Sequence, residues 1–173
     1  MKKILLSLFV TSTLGLCAQG KLNIFNYSSY RLSNYLVGSN QANNCYPNVS
    51  GTNYPLLVPP NTNISYDSYS TSNLTNPPIN SWTVQLNASS GTLPPQIPGA
   101  SPLLNVLGTT TKWQMNKFYV EDPSGAPLYY SGASIGNIDC NVTITDLIPS
   151  AATPYPFSAF WFDVGNDTYF VIQ

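Results

Sequence analysis

Histidine is absent from this 173-residue chain. Its absence removes the Ser-His-Asp and Cys-His arrangements of nucleophilic catalysis and every imidazole-ligated metal site. Charge is scarce too. Only 8% of residues are charged, six basic against seven acidic. Nucleic-acid partners and a charge-driven grip on anionic membrane both need clustered Lys and Arg, so neither is expected. No apolar run approaches the roughly 20 residues that span a bilayer, which argues against an integral membrane segment. The glycine fingerprints of phosphate and dinucleotide loops are missing, as is the strand-loop-helix unit they require. Helical periodicity is nowhere sustained, because fifteen prolines and frequent Asn-Ser-Thr clusters cut the chain into short apolar pieces.

What is present begins with a leader. Lys2 and Lys3 form a positive start, Ile4 to Val10 with Leu14 to Leu16 a short apolar stretch, and Ala18, or Gly20 with Ala18 two positions earlier, offers a small-residue cleavage site. Residues 1–18 read as a bacterial-type signal peptide, and residues 19–173 as one secreted or periplasmic domain. Leu14-Gly15-Leu16-Cys17 also resembles a lipobox, which would anchor the chain by a lipid on Cys17. Leu16 is large where that signal needs a small residue, so Cys17 is expected to leave with the leader. Without Lys2 and Lys3, four basic side chains stand against seven acidic ones, a net charge of −3. The 43% hydrophobic and 13% aromatic content is ample for a core, so disorder is not expected.

Export leaves two cysteines, Cys45 and Cys140, in an oxidising compartment, and they are expected to pair. On chain entropy alone, closing so long a loop stabilises a fold by about 4–5 kcal/mol.

The apolar pieces read as strands. Leu22 to Tyr27 and Tyr30 to Val37 suggest a first pair around Ser28-Ser29. Asn53 to Val58 turns through Pro59-Pro60-Asn61 into Asn63 to Tyr69. Ser81 to Leu86 puts Trp82, Val84 and Leu86 on one face. Lys112 to Glu121 and Leu128 to Ser131 suggest a pair joined through Asp122-Pro123-Ser124-Gly125. Ile138, Cys140, Val142 and Ile144 alternate with polar residues, the period of a half-buried strand, and this points Cys140 into the core. Phe157 to Val164 and Thr168 to Ile172 flank Gly165-Asn166, a two-residue hairpin turn. One short helix or 3-10 turn is expected over 101–107, with Ser101 as N-cap, Pro102 at the first position and Gly108 beyond the end. The sum is an all-β, single-domain antiparallel β-sandwich.

Candidate chemistry is thin. The carboxylates are Asp67, Glu121, Asp122, Asp139, Asp146, Asp163 and Asp167. A glycosidase needs two of them across a sugar, and nothing in the sequence pairs any two. Asp163 and Asp167 flank an oxygen-rich turn of the kind that ligates calcium, but an ordinary hairpin explains the same residues. No metal or other cofactor is therefore expected. Seven Asn-x-Ser/Thr sequons, at Asn26, Asn48, Asn63, Asn73, Asn87, Asn141 and Asn166, follow from an Asn- and Ser-rich composition, and no glycan is expected on them.

The aromatic residues carry the remaining signal. Pairing about Gly165-Asn166 sets Phe162 opposite Tyr169 on one face of the terminal hairpin and Trp161 opposite Phe170 on the other. These four are the candidate ligand-stacking residues, suited to a sugar or an apolar partner. In the competing reading they are core, covered on the second face by the proline-rich segment from Leu93 to Leu104. The functional expectation is an exported, non-catalytic binding or surface-interaction protein whose partner is a carbohydrate or another cell-surface component. Three alternatives make separable expectations. A carbohydrate-binding module would expose two or more of Trp82, Trp113, Trp161, Tyr129 and Tyr130 in one patch. A membrane-active pore-forming-type protein would expose an apolar end near Pro59-Pro60 or Pro94-Pro95, and a hydrolase would place two carboxylates in one cleft.

Overall fold

The computed structural model describes residues 19–52, 54–124, 129–148 and 156–173. The leader with Cys17, Asn53, Gly125, Leu128 and the Tyr129 and Tyr130 side chains lie outside the described residues.

Twelve strands and one α-helix are described. In chain order they are β1 (Leu22–Asn26), β2 (Arg31–Ser39), β3 (Asn48–Gly51), β4 (Leu56–Val58), β5 (Thr62–Tyr66), β6 (Trp82–Gln85), α1 (Pro102–Thr110), β7 (Lys112–Glu121), β8 (Tyr129–Asn137), β9 (Thr143–Ile144), β10 (Asp146–Leu147), β11 (Ala159–Val164) and β12 (Asp167–Ile172). They form an all-β sandwich. One sheet has the order β10-β11-β12-β1-β5, and the other runs β6-β3-β2-β7-β8-β9 with β4 also beside β2. The named strands pair antiparallel with one exception, the parallel pair of β1 with β12.

Alternation along the strands builds the core between the sheets. Leu22, Ile24, Phe170 and Ile172 come from the five-stranded sheet, and Leu32, Phe118, Val120 and Ile135 from the other. All three tryptophans are buried. Tyr69 stands edge-on to both Trp82 and Trp113, with ring centroids 5.0 Å away in each case. Each of those indoles finds an acceptor: Trp82 Nε1 donates to Ser72 Oγ at 2.9 Å and Trp113 Nε1 to the Gly20 carbonyl at 3.1 Å. Exposed tryptophans at 82, 113 and 161, the first expectation for a carbohydrate-binding module, are thereby overturned.

Four further expectations are corrected. β1 and β2 do not pair with each other but lie in opposite sheets. The buried Asn26 side chain donates to the carbonyls of Tyr30 and Pro59 at 2.8 Å and accepts from Ser28 Oγ at 2.7 Å, which turns the chain from one sheet to the other. The alternating segment 138–144 is a bend followed by the two-residue strand β9. There the Asp139 carboxylate accepts from the Asn141 and Val142 N–H groups, and Val142 is 50% exposed. A side chain that captures backbone donors two and three residues on makes a turn whatever the apolar pattern. The α-helix runs two residues past Gly108 and stops where the Thr111 N–H and hydroxyl both donate to the Leu107 carbonyl. Ser101 does not cap it through its side chain, since its hydroxyl donates instead to Gln96 Oε1. Finally, the proline-rich start of the Leu93–Leu104 segment does not lie over the terminal hairpin, although Leu104 at its end shares a groove with Asn166 of the hairpin turn. Leu93 and Gln96 hydrogen-bond β6 through Val84 and Trp82, so the segment extends the edge of the other sheet.

Cys45 and Cys140 are joined by a disulfide, with Cα atoms 5.8 Å apart. It ties the turn after β2 to the bend after β8 near the surface, not in the core as the alternation implied, and Cys140 takes a φ of 68°. Among the described residues no helix is long and apolar enough to cross a membrane.

Candidate functional site

The terminal hairpin folds in the register its turn dictates. Gly165 adopts a φ of 64° at the first central position, where a two-residue turn favours glycine. Phe162 then opposes Tyr169, and Trp161 opposes Phe170. Strand alternation separates the two pairs. Trp161 is 6% exposed and Phe170 fully buried, so these two belong to the core, and the candidate platform narrows to Phe162 and Tyr169. Phe162 is 45% exposed. Its ring lies 5.3 Å from that of Tyr169, with planes 5° apart.

The parallel pairing of β1 with β12 extends this pair in a way the sequence did not suggest. It brings Phe25 alongside β12, where its ring stacks on Tyr169 at 6.2 Å and 8°. Tyr27, two residues further on, stacks on Phe25 at 5.8 Å and is 54% exposed. Four rings, one each from β11, β12 and β1 and the last just past the end of β1, thus stand in one row, Phe162–Tyr169–Phe25–Tyr27, across the outer face of the five-stranded sheet. Phe160, Val164 and Val171 share that face by register. Polar groups flank the row: Asn23 lies opposite Tyr169, and Asn63 of β5 lies opposite Phe25. Ser65 Oγ donates to Asn23 Oδ1 at 3.0 Å. The one signal for Phe25 and Tyr27 in the sequence was their odd-numbered spacing against the buried Leu22 and Ile24.

Each carboxylate proposed as a candidate already has a structural partner. Asp67 pairs with Lys21 at 3.0 Å, and this hydrogen bond raises the lysine above its ordinary range. Glu121 pairs with Arg31 at 2.6 Å. Asp122 accepts from the Ser124 N–H, and Asp139 holds its turn. Asp146 accepts from Thr145, Asp163 from Thr168, and Asp167 from the Lys21 N–H. The hairpin register puts Asp163 and Asp167 on opposite faces, since Asp163 aligns with the inward Thr168 and Asp167 with Val164. Among the described residues no three Cys, Asp or Glu side chains gather in a metal-binding group.

Of the concavities elsewhere among the described residues, two stand out. One, of about 270 Å³, sits on the outer face of the larger sheet between Tyr35, Tyr54, Lys117 and Tyr119. The other is a groove of about 610 Å³ along α1, bounded by Gln19, Lys21, Asp67, Leu104 and Asn166. The chain matches no known protein family, no curated protein and no solved structure.

Proposed function

We propose that this chain is an exported, non-catalytic binding protein that holds a neutral carbohydrate on the outer face of its five-stranded sheet. The observation that carries this reading is the row of four aromatic rings, exposed at both ends. A contiguous exposed aromatic patch, unlike apolar residues scattered singly, marks an interaction site. Sugar rings present apolar C–H faces to such rings and hydroxyls to the amides beside them, here Asn23 and Asn63. No lysine or arginine stands in the row, which suits an uncharged ligand better than an anionic one. The structural engagement of all seven carboxylates supports binding over hydrolysis.

The test is depletion of the exported protein from solution by a panel of insoluble neutral polysaccharides. Wild type is compared with Phe162→Ser/Tyr169→Ser and with Tyr35→Ser on the opposite sheet. Binding by wild type and Tyr35→Ser, with at least about a tenfold loss in the double variant (~1.4 kcal/mol), is the expected result. Equal binding by all three proteins, or no binding to any polysaccharide alongside lysis of lipid vesicles, would overturn the proposal.

A further inference from the structure

Gln19 is 3% exposed and, where the leader is cleaved after Ala18, is the first residue of the processed chain. Its N–H donates to the Gly108 carbonyl of α1 at 2.7 Å. Its side-chain Oε1 accepts from the Tyr69 N–H at 3.2 Å, and its Nε2 is buried with no hydrogen-bond partner among the described residues. Among the described residues, the surroundings therefore offer this residue one acceptor for its nitrogen and one donor for its side-chain carbonyl, and nothing for the amide nitrogen.

Cleavage after Ala18 would turn the Gln19 nitrogen into an α-amine. As an ammonium it would bring a charge and three donors to the wall of the groove along α1, where its one hydrogen-bond partner among the described residues is a neutral carbonyl. Of the acidic groups nearby, Asp67 already pairs with the Lys21 ammonium, and Asp167 is held by the Lys21 N–H through one carboxylate oxygen, with no hydrogen bond to Gln19 among the described residues. Burying such a charge without a counter-charge is unfavourable. A neutral species with one N–H donor and one carbonyl acceptor fits the same inventory without remainder.

We propose that Gln19 is a modification site and that the exported chain begins with a pyroglutamyl residue. The α-nitrogen attacks Cδ of its own side chain, the N–Cδ bond forms and the Cδ–Nε2 bond breaks. Nε2 leaves as ammonia, taking a proton from the α-nitrogen. No oxidant, reductant or second substrate is consumed. The atom expelled is the one that lacks a partner. The lactam N–H inherits the Gly108 carbonyl, and the lactam carbonyl inherits the Tyr69 N–H. Gly20, which follows, keeps the chain close to the hairpin tip. It takes a φ of 67°, and a Cβ there would fall 1.6 Å from the Asn166 carbonyl oxygen.

This inference rests on the export reading, and one experiment separates the two. The protein is recovered from the medium or periplasm of an exporting cell, and its intact mass and N-terminal peptide are determined. The expected species begins at residue 19, is lighter than the encoded chain from Gln19 by one ammonia, and is blocked to stepwise degradation until treated with pyroglutamyl peptidase. The Gln19→Ala variant should be exported yet show neither the loss nor the block. A chain beginning at Gln19 with a free α-amine would overturn the cyclisation and leave the export reading standing. A processed chain beginning elsewhere, at a lipid-bearing Cys17 or past Gln19, would overturn the cyclisation and leave export standing, and an uncleaved chain beginning at Met1 would overturn both.

Discussion

Asn26 shows how much one side chain can decide in this fold. Its amide donates to two loop carbonyls at 2.8 Å and a third, that of Val58, at 3.3 Å, all from a buried position. Replacing it with alanine strands those carbonyls. Asn26→Ala should therefore cost about 2–4 kcal/mol in a denaturant melt, as one to two unsatisfied buried groups would. Gly38 is tightly constrained as well. A Cβ there would lie 1.7 Å from the Tyr69 hydroxyl, which itself bonds Thr111 at 3.0 Å. Gly38→Ala must displace a ring wedged between two indoles, so it should destabilise by about 1–3 kcal/mol. A melt indistinguishable from wild type would show that the ring has room to move. Neither residue was legible in advance, because Asn26 was one of seven sequons put down to composition and Gly38 lay just past the expected strand Tyr30 to Val37. Asp139 misled for a related reason. Its neighbours alternate well, and alternation carries no record of a carboxylate reaching its own backbone.

At the scale of the element, the terminal hairpin was the most legible part of the chain. A two-residue turn fixes register, register fixes faces, and the cross-strand pairs Phe162–Tyr169 and Trp161–Phe170 follow. Which face is covered did not follow, since that depends on strands more than a hundred residues away. The two faces predict different outcomes. Trp161→Ala opens a hole in the core and should cost about 3–5 kcal/mol. Phe162→Ser removes a ring already 45% exposed and should change stability by less than about 1 kcal/mol. Similar losses for the two substitutions, measured by urea unfolding, would mean that the outer face is covered. β1 was the hardest element to place. Its sequence neighbour is β2, yet its hydrogen-bonded partners are β12 and β5, and the aromatic row exists only because of that non-local choice.

Taken whole, the molecule is two sheets closed by a staple. The Cys45–Cys140 bond joins residues 95 apart in sequence. On chain entropy it contributes at most about 4–5 kcal/mol, so Cys45→Ser/Cys140→Ser should lower stability towards that figure. Titrating the unreduced exported protein in denaturant should find no reactive thiol, and two per chain would contradict the staple. The pairing itself was legible from the two cysteines that the expected loss of the leader would leave, whereas its peripheral location was not. The core also has a signature in alkali. Burial pushes the Tyr66 and Tyr69 phenols well above the ordinary tyrosine value near 10, so both keep their protons in the folded state after the unfolded chain would have lost them. The folded state then binds more protons than the unfolded one above about pH 10, and stability should fall as pH rises from there. Absorbance titration should show these two tyrosines ionising together with unfolding and not before it.

The most direct measurement is an amide and aromatic NMR titration of the exported protein with soluble oligosaccharides of whichever polysaccharide depletes it. The predicted result is a set of shifts confined to the outer face of β1, β11 and β12, led by Phe25, Tyr27, Phe162 and Tyr169, with Asn23 and Asn63 beside them. Shifts centred on Tyr35, Tyr54, Lys117 and Tyr119 of the opposite sheet would contradict the account.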